Sequence, residues 1–132
     1  MSQQKKFTPT TSELEILQFL WSQEPATVKE VHAYLTASQQ KEIRYTTTLK
    51  TMQVMLERGL LKREIEGRKH LYRAALEKDE TQNELLDKFL KLTFGGSAMK
   101  LVMKALGNYQ ASNQELDDLK KYIDSIDQNK KP

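Results

Sequence analysis

The segment from residue 44 to residue 74 constrains the fold of this chain more than any other. Residues 44–59 carry apolar side chains at helical spacing and end on a glycine: Leu49, Met52, Met55, Leu56 and Gly59. Residues 60–66 and 70–74 are strand-like and flank the basic turn Gly67-Arg68-Lys69. A short helix followed directly by a basic hairpin is the arrangement of a winged helix-turn-helix, which favours DNA binding over catalysis.

The second side of this helix is small and polar. At about 100° per residue, Thr47, Lys50, Thr51 and Val54 lie opposite the apolar side. Short hydroxyls reach phosphates, and threonine methyls can touch thymine methyls. Thr46 is the predicted N-cap, and Gly59 suits the left-handed position past the helix end. The predicted DNA contacts of this helix are Arg44, Tyr45, Thr46, Thr47, Lys50, Thr51 and Val54; a solvated face with a capping cluster is the alternative.

Two more helices are predicted upstream, and Pro25 separates them. The first runs from about residue 11 to residue 23, with a capping box formed by Ser12 and Glu15 and an apolar face of Leu14, Leu17, Leu20 and Trp21. The second begins near Thr27 and carries Val28, Val31, Tyr34 and Leu35. The sequence also allows a short strand around Ile43. Residues 1–76 are therefore predicted to form one winged-helix DNA-binding domain.

Several short segments follow one another as they do in a known family of repressors. They are residues 12–17, 20–21, 27–31, 45–47, 57–61, 71–72 after the Gly67 turn, 94–97 and 101–102. In order and spacing the chain resembles the penicillinase and methicillin-resistance repressors (BlaI/MecI type) over nearly its whole length. The resemblance implies a homodimeric transcriptional repressor with an N-terminal winged helix and a C-terminal helical dimerisation region, bound to a palindromic double-stranded DNA operator.

Positive charge is concentrated in the predicted winged-helix half. Residues 1–76 hold twelve Lys and Arg against eight Asp and Glu, whereas residues 77–132 hold nine against ten. A phosphate-facing surface needs such an excess, although a net charge of +3 for the whole chain is modest. The predicted backbone contacts of the wing are Lys62, Arg63, Arg68 and Lys69. Their alternative role is solubility and protection of the strand edge.

Residues 77–132 are predicted to form a helical dimerisation region. Gly95-Gly96 and Gly107-Asn108 interrupt the helical pattern, Ser97 can cap the second helix, and Ser112 with Glu115 can cap the third. Short helices with one apolar side are marginal alone. The alternative is that they pack back on the winged helix of a monomer. The predicted dimer contacts are Leu85, Leu86, Phe89, Leu101, Val102, Leu106, Leu116, Leu119 and Ile123.

Other classes of protein receive little support from the sequence. The chain has no cysteine, and its histidines, His32 and His70, are interpreted as surface or packing residues. The acidic pair Glu13 and Glu15 is interpreted as helix-start charge, with no partner for acid–base catalysis. We therefore predict no enzyme activity, no metal and no cofactor. No apolar run approaches the roughly 18 residues of a membrane span, and no leader pattern starts the chain, so a cytoplasmic location is expected.

Protein interaction and RNA binding are two other functions open to a winged helix, and a repressor also needs a signal that inactivates it. A winged helix can serve as a protein-interaction module, with Thr47, Lys50 and Val54 facing the partner. RNA binding is disfavoured because the aromatic platform of single-strand readers is missing. In resembling repressors, a sensor protease cleaves an Asn-Phe pair after the Leu-Val that matches residues 101–102. Lys104-Ala105 stands there in this chain, so the resemblance leaves open whether a sensor protease or another inducer is a partner.

Overall fold

The computed structural model describes residues 8–39 and 42–130. In chain order the elements are α1 Thr11–Gln23, α2 Val28–Gln39, α3 Tyr45–Glu57, β1 Leu61–Glu66, β2 Lys69–Ala74, α4 Lys78–Phe94, α5 Ala98–Asn108 and α6 Asn113–Lys130. The predicted fold class, mainly α with a two-stranded wing, is confirmed. The chain divides into two compact units, and the division falls between Leu85 and Leu86, inside α4. The predicted functional division after residue 76 stays a prediction.

The core of the N-terminal unit is built from the apolar sides of α1, α2 and α3 and from the base of the hairpin. Its largest fully buried apolar side chains are Ile16, Leu17, Leu20, Val31, Met52, Met55 and Leu60. Ile16 rather than Leu14 lies at the centre of the α1 face, and Leu14 is only partly buried. Trp21 is also partly buried, and its indole N–H donates to the carbonyl of Leu76 at 3.0 Å. That bond ties α1 to the segment after the hairpin.

The start of α1 differs from the predicted one. Thr10 is the N-cap: its hydroxyl accepts from the Glu13 N–H at 3.2 Å, and the Glu13 carboxylate accepts from the Thr10 N–H at 2.9 Å. The predicted capping box of Ser12 and Glu15 is therefore wrong, because Ser12 already lies within the helix. A second reciprocal pair, Thr27 and Glu30, caps the start of α2.

The start of α3 also differs from the predicted one. The helix begins at Tyr45, and its N-cap is Arg44, which makes no side-chain capping hydrogen bond. The prediction of Thr46 as N-cap is wrong, since Thr46 lies inside the first turn. The predicted end is confirmed: Gly59 follows the helix with a φ of 82°, a left-handed conformation that glycine adopts without strain.

The wing is an antiparallel hairpin in which Leu61 pairs with Ala74 and Glu66 with Lys69. Its turn therefore has two residues, Gly67 and Arg68, and Lys69 belongs to β2 rather than to the predicted turn. A third strand position is supplied by Ala26, whose N–H and carbonyl both bond to the backbone of Tyr72, at 3.0 and 2.8 Å. The suggested strand around Ile43 is wrong, because that side chain packs against the core from an irregular segment.

Replacing Leu17 with alanine should destabilise the N-terminal unit by about 2–5 kcal/mol. The side chain is fully buried, so truncation removes apolar contacts and leaves a cavity. Urea unfolding followed by tryptophan fluorescence measures this loss. Gln18→Ala is the matched control, because the neighbouring side chain is exposed and should change stability by less than about 0.5 kcal/mol. Equal stability of the two variants would contradict the burial of Leu17.

The C-terminal unit continues α4 and adds α5 and α6. Gly95 and Gly96 have φ values of 60° and 85°, which end α4, and the Ser97 hydroxyl accepts from the Lys100 N–H to cap α5. The predicted capping box of Ser112 and Glu115 is confirmed, with both hydrogen bonds at 3.0 Å. No residue of α5 or α6 is buried. None of the described helices has the length and apolar content that a membrane span requires.

Candidate nucleic-acid interface

The polar side of α3 is directed outward. Thr47 and Lys50 are exposed and Val54 is 38% exposed, while Met52 and Met55 on the opposite side are fully buried. The predicted division of this helix into an apolar and a polar side is confirmed. With Glu13, the side chains of this polar side line one surface depression: Thr47, Lys50, Thr51 and Val54. They therefore form a single continuous face, which we call the reading face.

The threonines of α3 have different chemical roles. The Thr51 hydroxyl donates to the carbonyl of Thr47 at 2.9 Å, so its oxygen remains free only to accept. Within the described chain, no partner is found for the hydroxyl of Thr47, which can both donate and accept. Thr48 is turned inward, with 2% of its surface exposed, and bonds to His32. The hydroxyls of Thr47 and Thr51 therefore belong to the reading face, whereas that of Thr48 faces the interior.

His32 on α2 holds the first turn of α3. Its Nδ1 lies 2.9 Å from the Thr48 hydroxyl, and its ring meets that of Tyr45 edge-on, with centroids 5.5 Å apart. These contacts matter because the N-cap of α3 supplies no side-chain hydrogen bond. The sequence predicted a surface or packing role for His32, and the structure gives it specific packing partners. No local pattern could have identified them, because Thr48 lies sixteen residues away.

An ion pair fixes the opposite end of α3. The Arg58 guanidinium lies 2.8 Å from the Glu13 carboxylate, whose side chain is only 7% exposed. Glu13 thus joins the start of α1 to the end of α3, in addition to closing the capping box of α1. Glu13 is therefore more than the helix-start charge that the sequence predicts. Glu15 accepts a hydrogen bond from Gln39 at 2.8 Å and so contacts α2.

The wing carries one internal ion pair and several exposed cations. Arg73 donates to Glu64 at 2.6 Å, and this hydrogen bond raises the pKa of Arg73. The pair neutralises itself, so Arg73 adds little to the field of the wing. The predicted contact residues are all exposed: Lys62, Arg63, Arg68 and Lys69. Of these four, no member forms an ion pair with a described carboxylate.

A cleft of about 370 Å³ lies where the starts of α2 and α3 face the hairpin. We call it the wing cleft; its lining is Thr27, Val28, Lys29, Tyr45, Leu49, Arg68, Lys69, His70 and Tyr72. It brings the predicted contact Tyr45 together with Arg68 and Lys69. The remaining predicted contacts line neither the depression nor the cleft: Arg44, Thr46, Lys62 and Arg63. Lys29 and His70 were not among the predicted contacts, because their exposure on α2 and β2 carries no sequence signal of a shared cleft.

Apolar side chains remain uncovered on the last three helices. Between 36% and 53% of the surface is exposed for Leu86, Phe89, Val102, Leu106, Leu116 and Ile123. The other predicted dimer contacts are partly buried: Leu85, Leu101 and Leu119.

Among the described residues, no cluster of three or more His, Asp or Glu could hold a metal ion.

The comparison with family models matches residues 9–125 of the chain to the family described as penicillinase repressor. The match includes the winged helix, α4, α5 and most of α6. No curated protein matches the chain.

Proposed function

Because the chain belongs to the penicillinase repressor family, and is therefore a transcriptional repressor, we propose that it acts as a homodimer on a palindromic DNA operator. In this proposal α3 enters the major groove and the wing lies along the sugar-phosphate backbone. A symmetric dimer would read two half-sites related by the same twofold axis.

One observation carries the proposal: the polar side of α3 faces outward next to a basic hairpin. A helix that presents Thr47, Lys50 and Val54 to solvent has the dimensions and side chains for a major groove. The Lys50 ammonium can donate to the O6 and N7 of guanine. The Val54 methyls can contact a thymine methyl, and the Thr47 hydroxyl can pair with either a donor or an acceptor.

The predicted contacts at the start of α3 and on the wing would position the helix rather than read bases. Arg44, Tyr45 and Thr46 lie at the start of α3, where side chains reach the phosphates at the groove edge. The exposed cations of the wing supply affinity that depends on salt concentration and carries little sequence information: Lys62, Arg63, Arg68 and Lys69.

Dimerisation is proposed through the uncovered apolar side chains of α4, α5 and α6. Leu116, Leu119 and Ile123 recur at spacings of three and four residues along α6, which is the pattern of a helix–helix seam. Val102 and Leu106 on α5 add exposed apolar surface. A second copy of the chain offers the same surface, so a twofold interface would be self-complementary.

The test of this function is a titration with duplex DNA. An operator is first selected from random duplexes, and its affinity is then compared with that of a scrambled duplex at several salt concentrations. We expect a palindromic selected site, preference over the scrambled duplex by at least about 10³-fold, and a steep loss of affinity with salt. Equal affinity for every duplex would refute operator binding.

A protein-interaction module is the second candidate. The observation that favours it is the exposure of Val54 in the middle of the reading face, where a partner protein could cover it. In this case Thr47 and Lys50 would contact the partner at the rim. The same titration separates the two functions, because an interaction module would show no preference among duplexes.

Replacing Arg68 with alanine should flatten the salt dependence of DNA binding. Arg68 occupies the turn of the wing, is exposed and would neutralise one phosphate in each protomer. The slope of log affinity against log salt should therefore fall in magnitude by about 0.9 per protomer. Fluorescence anisotropy at four salt concentrations measures the slope. An unchanged slope would show that the wing turn does not reach the backbone.

A further inference from the structure

The wing cleft has the chemistry of a phosphate site. We propose that it binds one phosphate group of the DNA backbone and that Lys29 of α2 is a principal contact. The proposal rests on the proposed function for its partner, and it adds α2 to an interface so far assigned to α3 and the wing.

The charges at the cleft favour an anion. Lys29, Arg68 and Lys69 line it, and no Asp or Glu does. None of these three cations has an ion-pair partner among the described residues. The carboxylate in the first turn of α2, Glu30, is held in the capping box by the N–H and hydroxyl of Thr27. Glu30 therefore forms no ion pair with the neighbouring Lys29, and Glu66, which lies opposite Lys69 on the hairpin, forms none with that lysine. Three cations and no carboxylate line the cleft itself, so its lining carries a net positive charge.

The apolar part of the lining suits the rest of a nucleotide backbone. Val28 and Tyr72 are buried and Leu49 is partly buried, so the interior is apolar while Lys29 and His70 at the edge are exposed. A deoxyribose could rest on this apolar interior while its phosphate meets the cations. The volume of about 370 Å³ is at the lower end of the range for small-ligand sites and leaves room for a sugar and a phosphate.

The position of the cleft favours the duplex over a free anion as the source of the phosphate. Tyr45, the first residue of α3, forms part of the lining. A phosphate bound there would lie next to the groove that α3 is proposed to enter, so one duplex could contact both surfaces at once. Inorganic phosphate has the same chemistry, and the test therefore includes it.

The test compares three substitutions in the full-length chain. Lys29→Ala removes the proposed contact, Lys29→Arg keeps the charge, and Lys78→Ala removes a matched exposed lysine outside the cleft. Binding to the selected operator and to a scrambled duplex is measured at several salt concentrations. We expect Lys29→Ala to reduce the salt slope more than Lys78→Ala does, by at most about 0.9 per protomer because Arg68 and Lys69 still face the same phosphate. The loss should be equal on both duplexes, and Lys29→Arg should retain the slope.

Equal slopes for Lys29→Ala and Lys78→Ala would overturn the proposal. In a separate arm, inorganic phosphate is added to the DNA-free protein while amide NMR signals of the cleft are followed. Saturable shifts at Lys29 and His70 without any change of salt slope in Lys29→Ala would assign the cleft to a free anion and also overturn it. Failure of the proposed function is recognised separately, as equal affinity of the unaltered protein for operator and scrambled DNA.

Discussion

Replacing Lys50 with alanine should weaken operator binding by about 1–3 kcal/mol in each half-site, or about 2–6 kcal/mol for the two copies in a dimer. Lys50 is exposed near the middle of the reading face, with Thr47 and Val54 on either side along the helix. An ammonium placed there would donate to a guanine edge, and the alanine variant leaves those acceptors without a protein partner. Fluorescence anisotropy with operator and scrambled duplexes measures the loss.

The pattern of losses identifies the role of Lys50. A base contact requires a large loss on the operator and a small one on the scrambled duplex. Lys78→Ala is the control for charge, because it removes an exposed lysine outside the reading face. Equal losses on both duplexes would reassign Lys50 to the backbone. Thr47→Ala should show the same selectivity, within about 1–3 kcal/mol, if its hydroxyl reaches a base.

The elements of this fold could be predicted because their signals are local. The apolar spacing of α1 and α3 identifies their buried sides, and Leu17 and Met52 are indeed fully buried. Gly59 marks the end of α3 because its left-handed conformation suits glycine. Ser97 and Ser112 cap the helices that follow them, as their spacing predicts. Each of these features depends on residues within one or two helical turns.

The capping box of α1 could not be predicted because several hydroxyls compete for it. Thr10, Thr11 and Ser12 precede Glu13 and Glu15, so more than one pair has the spacing of a capping box. The choice depends on where the chain enters the helix, which the tertiary packing of α1 decides. Glu13 can close the box from Thr10 while its second oxygen meets Arg58, and that ion pair spans forty-five residues. Sequence spacing holds no information about such a partner.

Only part of the candidate interface could be predicted, because only part of its signal is local. The reading face follows from the helical periodicity of α3 alone. The wing cleft requires three residues to meet that are far apart along the chain: Lys29 on α2, Tyr45 on α3 and Arg68 in the turn of the wing. Lys29 looks like any other solvated lysine until α2 is placed beside the hairpin. Ala26, which forms the third strand position, was missed because a single bridging residue leaves no alternating pattern.

Ending the chain after Gly95 should leave a folded fragment that has lost most of its operator affinity. All fully buried apolar side chains of the described chain lie between Ile16 and Leu60, so the fragment keeps its core. It loses α5 and α6, and with them the exposed side chains of Val102, Leu106, Leu116 and Ile123. Without a partner, the second half-site is no longer bound at high effective concentration, and affinity should fall by about 10²–10⁴-fold.

Three measurements on this fragment separate loss of dimerisation from loss of folding. Thermal unfolding should remain cooperative, sedimentation equilibrium should give a monomer, and anisotropy should give weak binding to the palindrome. A control fusion of the fragment to an unrelated parallel coiled coil, through a flexible linker, should recover much of the affinity, because it restores tethering without the native helices. A fragment that bound the palindrome as tightly as the full chain would show that α5 and α6 are dispensable, as they would be if the helices packed back on a monomer.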